Sequence, residues 1–312
     1  MHAPPAPNAP PLVRAGSWQA WQIALRPRTF WIATIPVIVG SALVLAEQGS
    51  LDIQVAILSL LASLLLQAIT NLQNDVGYAA RRVQTGNHVG WSRATCNGWL
   101  SSRDVRTAIG VAIIAVLAVG WPVVLRAGWP AAVMGASSIL AALAYMGGPR
   151  PIAFTPLGEL TVFVFFGLVA VIGSYYVQAG MASATVILAA IGIGALAAAV
   201  LAVNNHRDRG HDASTGRRTF VVTFGAGASR TLFESVVLIA FAVLPVMAWI
   251  DANAWLALPL VVLPSALGIR RDFGTLPIGP AWNELLFRTV KLELAYGLLL
   301  AAGALVPRVQ AV

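Results

Sequence analysis

Residues 184–212 read ATVILAAIGIGALAAAVLAVNNHRDRGHD, an apolar run long enough to cross a bilayer as one helix, closed by a dense polar segment. The polar part, Asn204-Asn-His-Arg-Asp208-Arg-Gly-His-Asp212, decides how the run is read. Ionisable groups at the mouth of a membrane helix are costly and are kept for function. The apolar run 54–74 ends in the same way, in Asn71-Leu-Gln-Asn-Asp75.

Composition extends this reading to the whole chain. Of 312 residues, 58% are hydrophobic and only 10% charged, and the mean hydropathy of +0.78 is that of an integral membrane protein. A window of roughly 19 residues gives nine apolar spans, near 30–46, 54–74, 105–125, 130–147, 156–178, 184–204, 230–250, 253–269 and 288–306. The fold class is therefore all-α, a polytopic bundle of about nine transmembrane helices. Residues 1–20, rich in Pro and Ala, read as a disordered tail, and 21–308 as one membrane domain. The stretches 75–104 and 205–229 read as two long loops that form a polar cap.

Charge orients the bundle, because Arg and Lys collect in cytoplasmic loops. Arg14, Arg26 and Arg28 precede the first span, Arg81, Arg82, Arg93, Arg103 and Arg106 follow the second, and Arg207, Arg209, Arg217, Arg218 and Arg230 follow the sixth. Only Arg126 and Arg308 fall on the other side. The reading is a cytoplasmic amino terminus with both polar motifs facing the cytoplasm. The net charge of +8 is then topology and local chemistry rather than a nucleic-acid footprint. Nineteen arginines against one lysine, with abundant Ala, fit a GC-rich bacterial genome and so a bacterial cell (inner) membrane. Cys96 is the only cysteine, which excludes an intramolecular disulfide and reads as a small loop residue.

Asp208 and Asp212 stand four apart, so a continuing helix puts both carboxylates on one face, within reach of one hard cation. Mg²⁺ held by few carboxylates keeps positions open for phosphate oxygens, and Arg207, Arg217 and Arg218 lie close enough in sequence to clamp a diphosphate. Thr219 offers a hydroxyl. Asn71 and Asp75 are also four apart, with Asn74 between them. Bland alternatives stand beside these: a solvated loop around Asp208 and Asp212, and Asn71 and Asn74 as helix caps. Tyr145 and Glu159, near helix ends, are candidates for touching an acceptor, or for capping. His206 and His211 read as loop residues or diphosphate neighbours, since Mg²⁺ prefers oxygen.

Asn71-x-x-Asn74-Asp75, followed by Asn204-Asn-x-Arg-Asp208-x-x-x-Asp212 with Gly216 and Thr219, resembles the UbiA superfamily of intramembrane prenyltransferases. The chain is most similar to the branch that prenylates 1,4-dihydroxy-2-naphthoate in menaquinone (quinone) biosynthesis. Leu25-Arg-Pro-Arg-Thr29, Tyr145-Met-Gly-Gly-Pro-Arg-Pro151, Leu157-Gly-Glu-Leu160 and Gly173-Ser-Tyr-Tyr-Val-Gln178 read like that branch. The resemblance implies helices around a central cavity, with Mg²⁺ as cofactor and polyprenyl diphosphate and an aromatic acceptor as partners. It implies metal ligation by Asp75, Asp208 and Asp212. Diphosphate contacts would come from Asn71, Asn74, Arg81, Arg82, Asn204, Arg207, Arg217, Arg218 and Thr219, and acceptor contacts from Tyr145, Arg150 and Glu159. The chain departs from the pattern at Tyr78, where the family has a second aspartate, and at Gln84, Asn87 and His88. A non-catalytic prenyl-lipid-binding protein and an intramembrane terpene cyclase are the rival readings. A transporter would put its polar groups near the bilayer midplane.

Overall fold

The computed structural model describes residues 13–81 and 92–306. Among the described residues nine long helical segments run back and forth: α1 (Trp18–Gln48), α2 (Ile53–Ala80), α3 (Ser102–Ala127), α4 (Trp129–Met146), α5 (Gly158–Ala179), α6 (Ala184–Ser214), α7 (Phe220–Ile250), α8 (Ala254–Thr275) and α9 (Ala281–Leu305). No strand occurs among the described residues. The first eight are long and apolar enough to cross a membrane. The remaining segment, α9, carries Glu284, Arg288, Lys291 and Glu293 in its first half and lies in the same bundle, packed on α1, α6 and α8. The protein is a multi-pass membrane protein.

The expected spans and the observed helices coincide in their apolar parts and differ at their polar ends. α2 continues through Asp75 to Ala80 and α6 continues through Asp212 to Ser214. The stretch 205–229, read above as a loop, is therefore mostly helix, and only Thr215–Thr219 links α6 to α7. A helix that leaves the hydrocarbon layer keeps its backbone hydrogen bonds, so polar residues do not end it. Before α7 straightens, Gly225 (φ 86°, ψ 169°) breaks its second turn. Residues 18–20, placed in the tail by the sequence reading, belong to α1, and residues 1–12 lie outside the described ones.

α6 is the central column. Of its most apolar stretch 78% is buried, against 11% for α3 at the periphery. Its Gly192, Gly194 and alanine-rich face let neighbours approach closely, which is how helices associate without a hydrophobic driving force. A Cβ on Gly167 of α5 would lie 2.5 Å from Gly194 Cα, so the two backbones touch there. From Phe163 to Ile172, α5 is wound as a π-helix, a form that concentrates at functional sites. Alternation of direction brings the starts of α1, α5 and α9 and the ends of α2, α4 and α6 to one end of the bundle.

Candidate active site

At that end opens a cavity of about 870 Å³. Its polar mouth is lined by Arg26, Asn71, Asn74, Tyr78, Arg93, Tyr145, Asn204, Asn205, Arg207, Asp208, Arg217 and Asn283. Deeper in, Trp121, Leu140, Phe165, Phe166 and Ala170 make an apolar wall. A charged mouth over a hydrocarbon-lined interior suits a ligand with an anionic head and an apolar tail.

The α6 motif is built as two ion pairs on one helix face. Arg207 holds Asp208 in a two-pronged contact, Nε to Oδ1 at 2.8 Å and Nη2 to Oδ2 at 2.7 Å. The rest of its fork donates to Asn204 Oδ1 at 2.9 Å and to Asn283 Oδ1 of α9 at 2.8 Å. Arg217, just beyond the helix, donates from Nη1 to Asp212 Oδ1 at 2.6 Å and to the Tyr78 hydroxyl at 2.8 Å. Burial works against the Arg217 guanidinium, but the Tyr78 hydroxyl and the Asp212 carboxylate outweigh it and hold it above its ordinary range. Asp212 is fully buried, and its Oδ2 has no hydrogen-bond partner.

The α2 motif divides. Asn71 and Asn74 line the cavity, with Asn71 Nδ2 donating to Leu25 O at 2.6 Å and Thr29 Oγ1 at 2.9 Å. Asp75, paired with Asp208 and Asp212 as a metal ligand in the sequence reading, does not line the cavity. Its Oδ1 accepts from Ala94 N at 2.9 Å and its Oδ2 from Thr95 N at 2.8 Å and from the Thr95 hydroxyl. Both oxygens are thereby committed to the loop that carries Arg93, which the periodicity of α2 could not reveal. Arg81 likewise donates to Met146 O at 2.7 Å and to Gly148 O, tying α2 to the end of α4.

Other expected residues sort by burial. Tyr145 lines the cavity. Glu159 is buried and accepts from Asn205 Nδ2 at 2.9 Å, while Glu159 Oε2 and Asn205 Oδ1 have no partner. Thr219 is buried with an unpartnered hydroxyl, outside the cavity wall. Arg150 and Arg218 are exposed and do not reach the cavity. Arg82, Gln84, Asn87 and His88 lie outside the described residues. His206 is no loop residue: it is buried in α6, stacked on Trp282 at 4.9 Å and bonded to Ser229 Oγ at 3.1 Å. Arg26, Arg93, Asn205 and Asn283 also line the cavity, beyond the site residues that the sequence reading names. Asn205 adjoins a motif and Arg26 lies in Leu25-Arg-Pro-Arg-Thr29, whereas nothing in the sequence marks Asn283.

Among the described residues no group of three or more His, Cys, Asp or Glu converges as a ready metal cage. The donors still suit one hard cation: Asp208 on the wall, Asp212 with an orphaned buried oxygen, and the amide oxygens of Asn204 and Asn205.

Residues 33–276 match the UbiA prenyltransferase family. The chain belongs to this family. It is 34% identical over 297 residues to 1,4-dihydroxy-2-naphthoate octaprenyltransferase of Escherichia coli, covering 91% of this chain and 94% of that protein. The Mycobacterium tuberculosis enzyme of the same name is 33% identical, covering 93% and 97%. Among solved structures, a UbiA homolog from Archaeoglobus fulgidus bound to GPP and Mg²⁺ superimposes with a TM-score of 0.69 at 16% identity, covering 91% of this chain and 99% of that one. At that identity the likeness is one of fold.

Proposed function

We propose that this UbiA-family chain is a Mg²⁺-dependent aromatic prenyltransferase. It moves a polyprenyl group from its diphosphate to 1,4-dihydroxy-2-naphthoate or a related quinone precursor. The observation that carries this is a single cavity joining an arginine- and aspartate-lined mouth to an apolar interior. The relatives named for that reaction, matched along nearly their whole length, favour the acceptor.

Asp208 and Asp212, with the amide oxygens beside them, would hold the Mg²⁺, which supplies Lewis-acid stabilisation of the departing diphosphate. Arg207 and Arg217 stand at the same mouth as fixed positive charge for the leaving group as its C–O bond breaks. The prenyl tail lies along Phe165, Phe166 and Ala170, where water is excluded from the allylic cation. Electron density of the acceptor ring then closes the new C–C bond and the ring proton is lost. Tyr145 and Asn205, both close to Gly158, form the acceptor side: a Cβ there would lie 3.7 Å from the Tyr145 hydroxyl and 3.9 Å from Asn205 Nδ2. Glu159 orients Asn205 by accepting from its Nδ2 at 2.9 Å, which fixes where the Asn205 amide oxygen stands beside the proposed cation.

The arginine-rich end of the bundle is the cytoplasmic end of a bacterial cell membrane in this reading, with the amino terminus on the same side. Purified protein given a prenyl diphosphate, 1,4-dihydroxy-2-naphthoate and Mg²⁺ should form a prenylated product that chelator abolishes. Diphosphate binding without product from any acceptor would favour a prenyl-lipid-binding relative.

A further inference from the structure

Resting on the prenyltransferase reading, we propose that the Gln67 amide oxygen receives the 4-hydroxyl of the aromatic acceptor and so selects a dihydroxylated ring over a monohydroxylated one. Gln67 and Asn71 both line the cavity. They share one face of α2, with Gln67 one helical turn, about 6 Å, further from the mouth. Gln67 is only 7% exposed, and its Oε1 is buried without a partner.

The surrounding hydrogen bonds fix which atom is left over. The Thr29 hydroxyl donates to Arg26 O at 2.9 Å, so towards its other neighbours it can only accept. It accepts from Gln67 Nε2 at 3.1 Å and from Asn71 Nδ2 at 2.9 Å. Asn71 Nδ2 spends its second N–H on Leu25 O at 2.6 Å, and Gln67 Nε2 spends its second on Asn71 Oδ1 at 3.3 Å. A flipped Gln67 amide would set its oxygen against two acceptors, so the placement of O and N is forced. Every donor of the three side chains is used, and Gln67 Oε1 remains. This gives Thr29, the last residue of the Leu25-Arg-Pro-Arg-Thr29 stretch, a positioning role. A buried amide oxygen with no donor carries the desolvation cost of an unmade hydrogen bond, which a donor on a ligand removes.

The chemistry of the two substrates picks that ligand. An ionised diphosphate accepts hydrogen bonds and the prenyl tail makes none, so only the aromatic acceptor brings O–H groups. In 1,4-dihydroxy-2-naphthoate the 1-hydroxyl stands beside the carboxylate and bonds internally to it. The 4-hydroxyl is the free donor. With the carboxylate and the 1-hydroxyl towards the arginine-lined mouth, the 4-hydroxyl, para to the latter, points inward to Gln67. Asn205 Oδ1, the other orphaned amide oxygen on the cavity wall, stands beside the proposed cation instead. A site built to bond a substrate hydroxyl rejects the analogue that lacks it.

The test uses the full chain purified in detergent with Mg²⁺, farnesyl diphosphate and 1,4-dihydroxy-2-naphthoate. Inhibition constants are measured for 4-amino-1-hydroxy-2-naphthoate, which keeps a donor at the 4-position, and for 4-fluoro-1-hydroxy-2-naphthoate, which keeps the size without the donor. Wild-type protein should bind the amine about tenfold more tightly, the scale of one hydrogen bond. Gln67→Met, which keeps the side-chain length and removes the oxygen, should bring the two constants together while the KM for farnesyl diphosphate stays put. Thr29→Val, which removes one anchor of the amide, should fall between. Equal inhibition of wild type by the two analogues, or a preference that survives Gln67→Met, would overturn the Gln67 contact alone; the wild-type comparison decides if the variants do not fold. No prenylated product from monodisperse wild-type protein would overturn the transferase reading and this contact with it.

Discussion

The three aspartates of the two motifs do different work. Asp208 lines the cavity, and Asp212 stands behind it with a free buried oxygen, so Asp208→Asn or Asp212→Asn should lower prenyl transfer by about a hundredfold or more, the scale of a lost transition-state charge contact. Asp75 grips a loop. Asp75→Ala leaves the buried Ala94 N–H without its acceptor and should cost about 2 kcal/mol, visible as a lower Tm, while the Mg²⁺ midpoint of residual activity stays put. A shifted midpoint would instead make Asp75 a ligand. Cys96 is half-buried, and burial, reinforced by Asp75, raises its thiol above the ordinary range. It should therefore alkylate slowly at neutral pH, as mass spectrometry after iodoacetamide would show. At this scale the sequence was legible where helical spacing alone decides proximity, as for Asp208 and Asp212. It was silent where a partner comes from another element, as with Asp75 and Ala94 or Arg207 and Asn283.

The helices were legible wherever hydrocarbon thickness sets their length, and less so where they continue past it. The polar ends of α2 and α6 look like loops by hydropathy, yet they are the elements that carry the site, because a rigid helix end places Asn71, Asn74, Asp208 and Asp212 better than a loop could. The close crossing of α5 and α6 depends on two residues without side chains. Gly167→Leu would drive a side chain into the Gly194 backbone, an overpacking expected to cost at least 1–3 kcal/mol. Loss of the monodisperse peak in size-exclusion chromatography, or a clear fall in Tm, would register it. The π-wound stretch of α5 had no signature in its apolar sequence, which reads equally well as α-helix.

For the whole molecule, the cavity couples a charged mouth to an apolar interior, and under the proposed function its depth would set which prenyl chain fits. Ala170 lies on the wall, so Ala170→Phe should shift the preferred donor towards shorter chains in a competition among diphosphates of different length, read by mass spectrometry. The most direct test of prenyl transfer at this site supplies the purified chain with Mg²⁺, a series of prenyl diphosphates, and either 1,4-dihydroxy-2-naphthoate or 4-hydroxybenzoate, beside Asp208→Asn. Prenylated naphthoquinol that vanishes with Asp208→Asn or chelator is the predicted result. Folded protein that binds prenyl diphosphate and yields no prenylated ring with either acceptor would contradict it.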